Sequence, residues 1–162
     1  MNVATGASVV GLSYDVQGNL SNKNGQAYTF SQGNRLRSVA NKEWYAYDGY
    51  GRRVIACGSA ACNYQLYSQL GQLLYTQDAR KGINTDYIYL AGSVVALRAR
   101  PAAGGAESVT YQHTDALGSP VATTNAAGQV VERTQYEPYG AAIGKTVDGV
   151  GYTGHAMDGG PG

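Results

Sequence analysis

No window of helix length in this chain carries an apolar stripe with caps, which leaves the sequence almost entirely to β structure. No stretch approaches the roughly 18 apolar residues of a membrane-spanning helix. The N-terminus also lacks the basic segment and hydrophobic run of a signal peptide, so export is expected as part of something larger or by a route without such a signal. The 12 Lys and Arg nearly cancel the 11 Asp and Glu, and neither sign clusters. The basic stripe of a nucleic-acid-binding protein and the polybasic run of an anionic-membrane anchor are therefore both absent. Cysteine is scarce: Cys57 and Cys62 are the two in the chain, separated by Gly-Ser-Ala-Ala at an expected hairpin tip. They can close a small disulfide if their Cα atoms come within roughly 7 Å. Two thiols alone do not supply the about four ligands of a zinc site.

One Phe, one Trp and four Pro stand against 14 Tyr and 23 Gly. Tyrosine has an apolar ring and a wet tip, which suits a sheet that is half buried rather than an oily sandwich. The glycines are periodic. A phrase with glycine at its fifth position runs through Tyr14–Leu20, Tyr47–Val54, Tyr67–Leu74, Thr114–Val121, Thr124–Val131 and Tyr136–Ile143, placing Gly18, Gly51, Gly71, Gly118, Gly128 and Gly140. Asp or Asn early in a turn bonds its own backbone two residues on, and glycine supplies the positive φ that closes the chain on itself. Each phrase is thus a turn with the starts of its strands, and the array is a series of hairpins that cannot bury their apolar faces singly.

Between the phrases the chain reads as an antiparallel meander. Tyr28-Thr29-Phe30 leads to a turn at Ser31–Asn34, and Arg35–Val39 returns. Gln72–Gln77, Thr85–Leu90 and Ser93–Arg98 follow, with turns at Ala79–Gly82 and Ala91-Gly92, and Ser108–His113 resumes after Pro101–Gly105. Residues 1–13 are small and polar and are expected to form a frayed or incomplete first strand.

The phrases at 14–20 and 47–54 resemble the YD repeats of the Rhs family of bacterial polymorphic toxins. The likeness continues in order through Tyr87–Gly92, His113–Val121, Tyr136–Gly140 and Tyr152–His155, which resemble the start of the Rhs-associated core region. It implies an all-β fold, antiparallel YD-repeat hairpins in a curved, spiralling strip, with residues 1–106 as repeat region and 107–162 as part of the core region. In that family the strip forms a hollow shell around a variable C-terminal toxin, and an aspartyl self-cleavage motif in the core region releases it. Residues Ala156 to Gly162 do not continue the pattern, so self-cleavage is carried over to no residue here, and the chain is expected to be a fragment of wall. The implied partners are the rest of the shell, its enclosed toxin and secretion-apparatus proteins. The implied setting is bacterial, secreted or at the cell surface within a larger protein.

Several side chains invite a chemical reading and have a plainer one beside it. His113 and Asp115, two apart, would share a strand face as a base pair or ligand set, but Asp115 opens a turn. His155 would have to join them for a metal site. Asp15 and Asp48 could be paired hydrolase carboxylates, yet each holds the same repeat position. Tyr14, Tyr47, Tyr67 and Tyr136 also share one position, as expected of ladders between hairpins, while their rings and hydroxyls could bind sugar. The expectation is a non-enzymatic wall piece with no catalytic, cofactor or metal residues. The alternatives are a surface module binding carbohydrate or protein, and a remnant without an independent role.

Overall fold

The computed structural model describes residues 2–5, 8–147 and 149–157. Two compact units form, Met1–Tyr64 and Gln65–Gly162, and each is all-β. In the first, β1 (Asn2–Thr5), β2 (Ser8–Tyr14), β3 (Leu20–Lys23), β4 (Gln26–Phe30), β5 (Leu36–Val39), β6 (Glu43–Tyr47), β7 (Arg53–Gly58) and β8 (Cys62–Tyr67) pair antiparallel in chain order. The last residues of β8 open the second unit. There β9 (Leu73–Asp78), β10 (Ile83–Leu90), β11 (Ser93–Pro101), β12 (Ser108–Thr114), β13 (Pro120–Thr124) and β14 (Val130–Arg133) continue the same antiparallel order. The short strands β15 (Gly149–Val150) and β16 (Ala156–Met157) pair across a single 3₁₀ turn at Tyr152–Gly154.

The meander and its strands follow the sequence reading, but the first segment is more complete than expected. In place of one frayed strand, residues 2–5 and 8–14 form a paired hairpin with Asn2 opposite Gly11 and Thr5 opposite Ser8. Small polar residues carry little hydrophobic signal, yet their backbones pair as well as any.

Apolar burial is thin. In the second unit Leu73, Tyr87 and Val94 form the core, with Tyr67, Tyr89, Leu97 and Val150 packed against it. Gly149 is required there: its φ is +105°, and a Cβ would stand 2.7 Å from the Tyr87 hydroxyl. Among the described residues of the first unit the buried apolar ones are Tyr45, Ala56 and Cys57. Cys57 lies directly opposite Cys62 and is bonded to it, with Cα atoms 4.0 Å apart. This closes the β7–β8 hairpin; by chain entropy so short a loop gains about 2 kcal/mol from the bond.

The turns supply the order that the small core does not. Six pairs of residues around the repeated phrase share one backbone pattern, seen in Asp15 N–H to Asn19 O at 2.9 Å with Gly18 N–H to Asp15 O at 3.1 Å. The same two bonds recur from Asp48, Ser68, Asp115, Asn125 and Glu137. A seventh copy was hidden at Ser31–Arg35, where Ser31 N–H reaches Arg35 O and Asn34 N–H reaches Ser31 O. There the positive φ falls on Asn34 (57°) rather than on glycine, because the glycine, Gly33, sits one place early. Asn is the non-glycine residue that tolerates this region best. At five of these seven turns the ladder slips between the two residues before the cap, at Ser13/Tyr14, Thr29/Phe30, Ala46/Tyr47, His113/Thr114 and Thr123/Thr124. A type I turn followed by a bulge at a left-handed residue has this signature.

Two glycines separate conformational need from mere presence. At Gly118, φ is +84° and nothing lies within 4 Å of a would-be Cβ, so Gly118→Ala is expected to cost about 1 kcal/mol through strain alone. Gly33 is not left-handed, and Gly33→Ala is expected to be neutral or slightly stabilising. Urea unfolding of the two variants beside the parent chain checks both values.

Candidate functional site

The aspartates that open the turns each accept two backbone amides of their own turn. Asp48 Oδ1 accepts the amides of Tyr50 and Arg52, both at 2.9 Å, while Oδ2 accepts Arg52 Nε at 2.7 Å. Asp15 Oδ1 accepts the amides of Gln17 and Asn19, and its Oδ2 accepts Asn19 Nδ2. Asp115 Oδ1 accepts the amides of Leu117 and Ser119. Asn125 repeats the two amide bonds with a neutral oxygen, at 3.0 Å each. The Ser31 and Ser68 hydroxyls accept from the amides of Arg35 and Gln72.

These bonds lower the carboxyl pKa values. The Asn19 side-chain amide is the main cause at Asp15, and the Ser119 backbone amide at Asp115. At Asp48 desolvation pushes upward, and the backbone amide, side chain and charge of Arg52 together outweigh it. Asp15 and Asp48 are therefore separate turn caps, not a carboxylate pair.

The tyrosine position has a defined role too. Tyr47 donates its hydroxyl to the Leu36 carbonyl at 2.7 Å, and Tyr136 donates to the Pro120 carbonyl at 3.1 Å. In each case the acceptor lies five residues after the cap of the preceding turn on that edge, Ser31 or Asp115. The tyrosine before one cap thus fastens its hairpin to the strand leaving the previous one. Tyr67 instead donates to Gln65 Oε1 at 3.1 Å, and its ring packs on the core, while Tyr14 is half exposed. At Tyr47 and Tyr136 the link expected between neighbouring hairpins runs from the hydroxyl to a backbone carbonyl. Tyr136 and Tyr152 do meet, with ring centroids 5.6 Å apart.

In the first unit neighbouring turns are also stitched side by side. Asn19 Nδ2 donates to Asn34 Oδ1 at 3.0 Å, and the Arg35 guanidinium lies against Gly51 and 6.0 Å from the Tyr47 ring centroid.

The histidines do not join Asp115. His113 Nε2 lies 3.0 Å from Thr124 Oγ1, and the bulge at His113/Thr114 breaks the two-residue alternation that would have aligned His113 with Asp115. His155 contributes backbone to the 3₁₀ turn, accepting from Gly151 N–H and donating to Tyr152 O. Among the described residues no group of three or more His, Cys, Asp or Glu side chains could hold a metal ion. Among the described residues no helix is long and apolar enough to cross a membrane.

Sequence reasoning missed two features. Ser119 is wholly buried, and its Oγ accepts the Thr153 amide at 3.0 Å, tying the 149–157 segment to the turn opened by Asp115. A lone serine in a turn phrase gives no signal of a partner 34 residues away. The second is a groove of about 740 Å³ walled by Leu117, Val121, Ile143, Tyr136 and Tyr152, beside the turn opened by Glu137.

An antiparallel strip of β-hairpins in which one turn pattern recurs is the class this architecture defines. The same fold occurs in the Photorhabdus luminescens Tc holotoxin pore, in a TccC3 mutant form, with a TM-score of 0.62 and 20% identity over 90% of this chain. It occurs also in the crystal structures of TcdB2-TccC3, with a TM-score of 0.60 and 20% identity, and of TcdB2-TccC3-TEV, with 0.61 and 22%, again over 90% of this chain. The chain spans 8% of the length of each of these matched chains. No family model matches the sequence, and no curated protein matches it.

The caps make stability depend on acid in a defined direction. Because the folded carboxyls of Asp15, Asp48 and Asp115 sit below their ordinary value, their contribution is complete above the ordinary carboxylate range, about pH 4, and is lost as pH falls through the lowered values. Asn125 shows that a neutral oxygen can hold the same turn. The triple variant Asp15→Asn, Asp48→Asn, Asp115→Asn is expected to keep the fold and to show a flatter loss of stability between neutral and acid pH, read by thermal unfolding across pH.

Proposed function

We propose that this chain is a non-enzymatic piece of the wall of an Rhs-type toxin shell, which encloses a C-terminal toxin until delivery into a competitor cell. One observation carries the reading: the polar groups most suggestive of chemistry, the repeat aspartates, are spent on their own turns, so the strip is built for continuity. The fold shared with the Tc holotoxin pore supports it, as do the YD phrases in the sequence. Residues 1–106 would be the end of the repeat strip and 107–162 the beginning of the core region. The strip would curve and spiral with the rest of the shell, and the partners would be that shell, its toxin cargo and the secretion apparatus of a bacterium. Selectivity would come from enclosure and from the inner surface, with no cofactor.

The full-length product of the gene tests this reading. Under native conditions, a protease is expected to leave the segment following the wall intact and to digest it once urea opens the shell. Equal digestion in both conditions would count against enclosure. Peptidase, nuclease or glycosidase activity in the purified 162-residue chain would overturn the non-enzymatic assignment.

A further inference from the structure

The bridge at the tip of the β7–β8 hairpin is held less firmly than its place in register suggests. Closing so short a loop gives the fold a small entropic advantage, and linkage makes that advantage mutual: the fold favours the bond by the same factor, about thirtyfold. The hairpin around it is slight. Three pairs join β7 to β8, Ile55 with Tyr64, Ala56 with Asn63 and Cys57 with Cys62, and the tip closes through Gly58 N–H to Ala61 O at 3.0 Å. Ser59 and Ala60 are exposed. Asn63, next to Cys62, is buried, and its Oδ1 has no hydrogen-bond partner among the described residues, a cost relieved when the hairpin opens to water.

The two sulfurs differ in access. Cys57 is 2% exposed, flanked by Cys62 on β8 and by Trp44 directly opposite it on β6. Cys62 is partly exposed. Directly opposed residues put their side chains on one face, so the half-exposed Trp44 stands beside the bridge, and it lines one cleft with Cys57, Ser38, Lys42 and Ser59. A thiolate arriving from solvent meets Cys62 first, which makes Cys57 the sulfur that leaves.

We propose that the Cys57–Cys62 bridge is a thiol-exchange site for a low-molecular-weight thiol, with Cys62 Sγ as the sulfur attacked. The incoming thiolate bonds to Cys62 Sγ as the bond between the two cysteines breaks, and Cys57 departs with the electron pair and takes up a proton. A second thiolate then removes the first as a small-molecule disulfide, and Cys62 is protonated in turn. In sum two thiols are oxidised to one disulfide, and the bridge gains their two electrons and two protons. The β7–β8 tip is then held by the Gly58 to Ala61 bond and the two remaining apposed pairs. If the chain is the wall piece proposed above, this hairpin is stapled in an oxidising space and released in a thiol-rich one; the exchange itself does not depend on that reading.

The test uses the whole chain after oxidation in air, equilibrated with graded glutathione buffers natively and in urea, with free thiols trapped by alkylation and counted by mass spectrometry. Both cysteines should be blocked before reduction. At half-reduction the quotient of reduced glutathione squared over oxidised glutathione should be about thirtyfold higher for the native chain than in urea. The emission of Trp44, the single tryptophan, should rise in step as the quenching disulfide is lost. With oxidised glutathione, Cys57→Ser should form a mixed disulfide at Cys62 about tenfold or more faster than Cys62→Ser forms one at Cys57, since access governs the rate. A native-to-urea factor of about a hundred or more would make the bridge a permanent staple and overturn the proposal. Free thiols before reduction, or equal rates in the two variants, would overturn it as well.

Discussion

The capped turn is the interaction on which the rest of this structure depends. One side-chain oxygen receives two backbone amides, a left-handed residue closes the backbone three positions later, and the strand ladder slips to accommodate it. This local device needs no hydrophobic core to form, because its donors and acceptor lie within five residues of one another. That independence explains how a sheet can persist with few fully buried apolar side chains in either unit. A conventional sandwich fixes its hairpins by burying one face; here the turns set the register, and the faces can remain partly wet.

The tyrosine before the cap extends that local order to the next hairpin. Tyr47 and Tyr136 each reach back to a carbonyl at the equivalent place in the preceding hairpin, and at Tyr47-Asp48 the two adjoining residues perform two different tasks. Aspartate shapes its own turn, and tyrosine fastens that turn to its neighbour. A strip made this way can be lengthened by repetition, since a hairpin of this kind carries its own closure and, at Tyr47 and Tyr136, its own attachment to the one before. The shared fold with segments of much longer toxin chains is consistent with such growth.

Much of this was legible in the sequence, for physical reasons that also explain the failures. Glycine at a left-handed position is costly to replace, so Gly18, Gly51, Gly71, Gly118, Gly128 and Gly140 announce their turns directly. The Ser31–Asn34 turn stayed hidden as a repeat because its left-handed residue is Asn34 and a decoy glycine precedes it. The reading of Asp15, Asp48 and Asp115 as caps was available from their repetition, whereas the tyrosine anchoring was not, since its acceptors are backbone carbonyls and carry no sequence signature. Cys57 and Cys62 left two outcomes open until the β7–β8 register set them face to face. The groove beside Glu137 was invisible for a related reason: its walls come from the Asp115 turn, β13, the segment after β14 and Tyr152, which are far apart in the chain.

Amide hydrogen exchange tests the central claim most directly. If the carboxylate caps hold the turns, the amides of Gln17, Asn19, Tyr50, Arg52, Leu117 and Ser119 should exchange slowly at neutral pH despite lying in exposed turns. Those of uncapped turn positions such as Val16, Gly49 and Ala116 should exchange freely. Exchange of the first set at the rate of an unstructured peptide would contradict the account, for it would mean that something other than the capped turn keeps the strip in register.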